Sequence, residues 1–251
     1  MKILILDIET APSLAYVWGM FKQNISIDKL VDTSYTMCWA AKWLGDDDVF
    51  VSSLGDFDRE GMILEIWNLL NEADAVVTYN GNNFDLPVLN REFLEEGLNP
   101  PAPYKSIDLY QVVKSQFRFT SNKLDHVASR LGCSLKAKHT GFELWKKCME
   151  NDMDAWFDME QYNAQDVRVT EEVYLKLIPW IKSHPNYALY TDTNRPVCTN
   201  CGSSNIQRRG SYETATQKYK RYVCNDCGTW CRERFTAVDK EKRKTILTQS
   251  R

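Results

Sequence analysis

The chain has 251 residues, 43% hydrophobic, 12% aromatic and 26% charged, a balance that supplies a core and excludes wholesale disorder. No apolar run is long enough to cross a bilayer, and Met1-Lys2-Ile3-Leu4-Ile5-Leu6-Asp7 meets a charge too early for a secretory signal, so the chain reads as cytoplasmic with no membrane partner. The net charge of −3 divides unevenly: residues 195–251 carry 13 Lys and Arg against 5 Asp and Glu, residues 1–194 carry 18 against 29, and such a basic tail makes nucleic acid a natural partner.

Residues 2–6 form a short apolar run ending at Asp7, the pattern of a buried strand that delivers a carboxylate to a sheet edge. Strands are predicted over residues 35–43 and 49–54, with Gly45-Asp46-Asp47-Asp48 as the turn of an antiparallel meander. From Asp58 onward Met62, Ile63, Ile66, Leu69 and Leu70 recur at helical spacing. Residues 75–79 read as another buried strand, and Asn80-Gly81-Asn82-Asn83 as a loop leading to a helix that begins near Asp85. The pattern to about Trp180 is mainly helical, with breaks at Gly132, Gly141 and Asn151. A meander followed by alternating helices and strands predicts an α/β sheet. Polar residues between His184 and Pro196 suit a connector, giving a domain over 1–185, a connector over 186–195, a small domain over 196–238 and a basic polar tail over 239–251.

Asp7-Ile8-Glu9 sets two carboxylates on one face of a strand, since side chains alternate there. Asp85 follows a glycine-bearing loop after a buried strand, where an ordinary helix N-cap is also in keeping. Tyr162 and Asp166 stand four apart on a helical pattern that includes Val169, Val173 and Leu177, so phenol and carboxylate share a face. Acids converging in this way call for divalent metal, and all-oxygen ligands suit magnesium or manganese.

Together the three elements resemble the DEDD exonuclease superfamily, in the branch whose last motif carries Tyr and whose nearest comparison is the proofreading domain of family B DNA polymerases. The matching residues are Asp7-Ile8-Glu9, Asn80 with Phe84-Asp85, and Tyr162 with Asp166. The resemblance covers residues 1–182, with Ile107-Asp108-Leu109-Tyr110 and residues 124–132 similar to that family's middle helices. It implies an RNase H-like mixed five-stranded sheet with flanking helices and a metal-dependent 3′-to-5′ exonuclease that releases 5′-mononucleotides. It further implies that Asp7 bridges two ions, with Glu9 and Asp166 on one and Asp85 near the other, that Tyr162 orients the attacking water, and that Asn80 and Phe84 contact nucleic acid. Single-stranded DNA and 3′ ends are the favoured substrates; the same site would serve RNA, and any replication or repair partner is left open. Lys136, Lys138 and His139 are candidates for phosphate contact, against the plainer reading of a solvated loop, and Asp108 reads as a helix cap in preference to an acid supporting the metal ligands.

Cys198-Thr199-Asn200-Cys201 and Cys224-Asn225-Asp226-Cys227 are two CxxC knuckles at the spacing of a small four-cysteine zinc ribbon holding one structural zinc, each followed by a glycine suited to positive φ. Cys231 is a fifth thiol outside that set, and Cys38, Cys133 and Cys148 read as small buried apolar residues. Arg208, Arg209, Lys218, Lys220 and Arg221, interleaved with Tyr212, Tyr219 and Tyr222, suit a grip on single strands. Competing functions are an exoribonuclease, an endonuclease of similar fold and a catalytically silent nucleic-acid adaptor that uses the ribbon.

Overall fold

The computed structural model describes residues 1–134 and 141–250, so Lys136, Lys138 and His139 lie outside the described residues. The chain divides into two units, Lys2–Tyr174, and Leu175–Arg251 with Met1.

The first unit opens with β1 (Ile3–Thr10), β2 (Leu14–Ala15), β3 (Leu30–Asp32), β4 (Thr36–Trp43) and β5 (Phe50–Ser53). Helix α1 (Arg59–Glu72), β6 (Ala75–Thr78), α2 (Asp85–Glu95), β7 (Lys105–Asp108), α3 (Leu109–Gln116) and α4 (Leu124–Leu131) follow. Helices α5 (Phe142–Met149) and α6 (Met153–Leu177) complete the series. The main sheet has the order β5-β4-β1-β6-β7, with β1 antiparallel to β4 and parallel to β6. It is the mixed five-stranded sheet with flanking helices expected from the sequence.

Alternation along β1 decides which helices cover which face. Leu4, Leu6 and Ile8 pack with Met62, Ile63, Ile66 and Leu70 of α1 and with Leu89 and Phe93 of α2. On the opposite face Met37 and Cys38 of β4 pack with Leu144 and Cys148 of α5 and with Trp156, Met159 and Tyr162 of α6. Helix α1 starts where Asp58 accepts a hydrogen bond from Gly61 N at 2.7 Å, a cap worth about 1 kcal/mol. The expected breaks at Gly132, Gly141 and Asn151 all fall between helices, and all three residues have positive φ.

Several elements differ from expectation. β1 runs on past the edge read at Asp7, pairing with β4 as far as Thr10, while Asp7 and Glu9 lie within the strand as their spacing implied. Ile107 and Asp108 belong to β7 and not to a helix, because parallel pairing with β6 extends that segment; the helix begins at Leu109. Cys133 is half-buried, following the surface cap at Gly132.

In the second unit β8 (Ile206–Glu213), β9 (Lys218–Cys224) and β10 (Trp230–Arg232) form an antiparallel sheet in the order β10-β9-β8. Helix α7 (Lys240–Thr245), capped by Asp239, gives the basic tail a short ordered stretch. The first cysteine knuckle is pinned by Asn200, whose buried amide donates to Ile178 O at 2.9 Å and Ile181 O at 3.2 Å. Gly202 and Gly228 have φ of +75° and +81°, the conformation the knuckle spacing called for. Among the described residues no helix is long and apolar enough to cross a membrane.

Candidate functional site

The parity of β1 that sends Ile8 toward α1 sends Asp7 and Glu9 to the other face, the one that α6 covers. Asp166 reaches them from α6: one carboxylate oxygen from each of Asp7, Glu9 and Asp166 lies within 4.8 Å of the others. Such crowding of hard oxygen donors suits a divalent cation, and the donor set fits magnesium or manganese. Asn163, next to Tyr162, is fully buried, and its Nδ2 donates to Asp7 Oδ2 at 2.7 Å. Its Oδ1 accepts from the buried Cys38 thiol at 3.6 Å, and Cys38 is the β4 residue paired with Glu9. Burial, then the charges of Glu160, Glu9 and Asp7, push that thiol upward, so it remains a neutral donor. Nothing in the sequence marks Asn163 as a site residue, because only the packing of α6 over β1 brings it to Asp7.

Asp85 is 2% exposed and its Oδ1 accepts from Ile8 N at 3.2 Å, the amide between Asp7 and Glu9. Phe84 occupies the N-cap position and Asp85 the first turn, so the carboxylate is turned toward β1. It stands outside the group of three oxygens formed by Asp7, Glu9 and Asp166. Burial pushes its pKa up to about 7; hydrogen bonds from its own amide and Ile8 pull the other way, and the charge of Asp108 adds to the rise.

The loop before α2 has two built-in constraints. Asn80 has φ +74°, and a Cβ on Gly81 would lie 2.3 Å from Thr78 Oγ1, so only glycine fits there. Asp108 caps α3 as expected, accepting from Tyr110 N at 3.0 Å, and its carboxylate also accepts from Asn80 N at 2.9 Å and Asn82 N at 3.3 Å. Phe84 is 40% exposed at the loop's end. Tyr162 lies one helical turn before Asp166, its ring nearly buried and meeting Trp145 edge-on at 6.1 Å.

Residues 4–178 match the RNase_H superfamily in sequence. The chain belongs to that superfamily. Its fold is similar to the family B DNA polymerase from the hyperthermophilic archaeon Pyrobaculum calidifontis, with a TM-score of 0.54 and 21% identity over 71% of this chain. The match spans 24% of that polymerase. No curated protein matches the chain. RNase H-like nucleases use divalent metal on nucleic acid, and the carboxylate group lies inside the matched residues.

The thiolate site lies beyond the RNase H-like match. Sulfur atoms of Cys198, Cys201, Cys224 and Cys227 gather within 4.8 Å, with Cys198–Cys227 at 3.5 Å and Cys201–Cys224 at 3.6 Å. A tetrahedral zinc with bonds of about 2.3 Å has sulfur–sulfur edges of about 3.8 Å, so the four thiols fit that ion. Cys231 stands outside the four, its sulfur accepting from Thr199 N at 3.5 Å. Of the cations expected to meet nucleic acid, Lys218 pairs with Glu213 at 2.9 Å and Lys220 with Glu233 at 3.3 Å. Arg208 lies opposite Tyr222, and Arg221 Nε donates to Arg209 O at 3.0 Å.

Proposed function

We propose that the protein is a metal-dependent 3′-to-5′ exonuclease that removes 5′-mononucleotides from the 3′ end of DNA, with single strands as the favoured substrate. The observation that carries this reading is the meeting of Asp7, Glu9 and Asp166 within a superfamily of metal-using nucleases. The order and spacing of the three motifs support the exonuclease branch. In this reading Asp7, Glu9, Asp85 and Asp166 hold two magnesium or manganese ions, and the four ribbon cysteines hold a structural zinc. Bound divalent ions supply an activated water and charge stabilisation for the leaving 3′ oxygen.

The chain's own residues do the positioning. Asn163 fixes the rotamer of Asp7 through its 2.7 Å hydrogen bond. Tyr162 orients the attacking water through its hydroxyl, because a phenol is too weak an acid to serve as base near neutral pH. Asn80 and Phe84 hold the terminal nucleotide from the loop that carries Asp85. Catalysis thus belongs to residues 1–185 and strand capture to residues 196–238.

End-labelled single-stranded DNA, duplex DNA and RNA, each with magnesium, manganese or chelator, test the reading. Asp7→Ala and Asp166→Ala are expected to abolish nucleotide release with the circular dichroism spectrum preserved, and Tyr162→Phe to slow it. Capping the 3′ end is expected to block the reaction. Undiminished release by Asp7→Ala would falsify the catalytic assignment, whereas binding without hydrolysis in the unsubstituted protein identifies an adaptor.

A further inference from the structure

The two faces of the ribbon sheet use their cations differently. Pairing of Tyr212 with Tyr219, Arg232 with Arg221 and Trp230 with Val223 puts Tyr212, Tyr219, Arg221, Trp230 and Arg232 on one face. Lys218, Lys220 and Tyr222 alternate onto the other, where Glu213 and Glu233 neutralise the two lysines and Glu233 accepts from Tyr222 Oη at 2.7 Å. The first face is built from stacked cations. The Arg221 guanidinium lies 4.6 Å over the Trp230 ring, and that of Arg232 lies 4.2 Å over Tyr219 and 5.4 Å from Tyr212. The polar partners of these arginines are the Arg209 and Glu233 carbonyls, and among the described residues neither guanidinium has an ion pair.

A groove of about 480 Å³ runs between Tyr212, Arg221, Trp230, Cys231 and Arg232. Trp230 is 53% and Tyr212 46% exposed. The register shift between Arg208 and Ser211, with Gly210 at φ +69°, accompanies the hydrogen bond from Arg221 Nε to the Arg209 carbonyl. Arg221 is therefore held before any ligand arrives, which lowers the ordering cost of binding.

We propose that this face of the ribbon is a binding site for single-stranded nucleic acid, with Trp230 and Tyr212 stacking on bases and Arg221 and Arg232 meeting phosphates. Each guanidinium gives one nitrogen to a carbonyl and lies on a ring, so its remaining N–H groups can turn to phosphate oxygens, and exposed rings offer π-faces to any base. A duplex hides its base faces, and an acidic peptide would leave the aromatics unused. The site deepens the nuclease reading and rests on nucleic acid being the substrate, but hydrolysis is not needed to observe it.

The test uses the full zinc-loaded chain carrying Asp7→Asn, so that labelled oligothymidylate stays intact, with fluorescence anisotropy read across a salt series. Trp230→Ala is expected to weaken binding about 10-fold or more. Trp230→Phe restores most of the loss. Arg232→Gln is expected to lower the slope of log affinity against log salt by about 0.7, the contribution of one phosphate on a single strand. Lys218→Ala, on the other face, stays within about twofold of the parent. Unchanged affinity in Trp230→Ala at full zinc content overturns the proposal, as does equal weakening by Lys218→Ala or equal affinity for duplex. If Trp230→Ala loses zinc, Arg232→Gln decides by the same slope criterion. Failure of the exonuclease reading would appear separately, as intact oligonucleotide with the unsubstituted protein.

Discussion

Two buried polar side chains set the behaviour of the carboxylate site. Asn163 holds Asp7 at 2.7 Å, and a hydrogen bond to an ionised acceptor is worth about 1.5–3 kcal/mol. Asn163→Ala is expected to weaken manganese binding about 10–100-fold with the fold intact, read by calorimetric titration. An unaltered titration would remove Asn163 from the site's design. Asp85 adds a pH dependence. Its pKa of about 7 lies above the ordinary carboxylate range, so the folded protein keeps a proton that the unfolded chain releases. Without divalent metal this stabilisation is full at low pH and is lost as pH rises toward 7. Asp85→Asn removes the titration. Its thermal midpoint is expected to exceed the parent's above neutral pH and to converge with it near about pH 4, while hydrolysis is lost. Parallel melting curves for the two proteins across that range would contradict the account.

At the scale of elements, the loop between β6 and α2 is the most tightly specified piece of the site. A methyl on Gly81 would meet Thr78 side-chain atoms at 2.3, 2.5 and 2.7 Å, so the loop must shift, and Asp85 lies four residues on. Gly81→Ala is expected to destabilise the protein by about 1–3 kcal/mol and to lower turnover, measured by denaturant melts and nucleotide release. Full activity with an unshifted melt would show the loop to be tolerant. The sequence made β1, β4 and β6 legible because their apolar runs are buried, β5 legible through the turn that returns it to β4, and the helix breaks legible because glycine and asparagine accept positive φ. It hid β7: Lys105 and Ser106 are exposed, and only the parallel register with Val76 and Ala75 makes the segment a strand. It hid β2 and β3, of two and three residues, for the same reason. The shared face of Asp7 and Glu9 was legible from spacing, whereas the approach of Asp166 to them, Asn163 and the clasp of Asp108 on Asn80 depend on contacts between distant segments. On the ribbon, spacing marked the four thiols that gather within 4.8 Å of one another, but interleaved charge could not say which cations a carboxylate already holds.

At the scale of the whole molecule, charge and metal chemistry separate two tasks. The first 194 residues carry a net −11, a field that repels a polyanion, while residues 195–251 carry +8. Four thiolates on one zinc would take about two charges from that tail and leave it strongly cationic. Attraction of a long strand should therefore come from the tail, and its strength should fall with salt as counterion release requires. A dinucleotide offers little to such a grip and tests the carboxylates alone. Replacing Cys201 and Cys227 by serine, which removes two soft thiolates and leaves the oxygen ligands and Cys38 untouched, is expected to cost the chain its one zinc. It should raise the KM for long single strands severalfold, with a salt dependence that persists because the tail keeps its cations, and leave dinucleotide hydrolysis in magnesium nearly unchanged. Parallel loss of both activities would tie the ribbon to the chemistry itself, and an unaltered KM for long strands would deny it any part in capture.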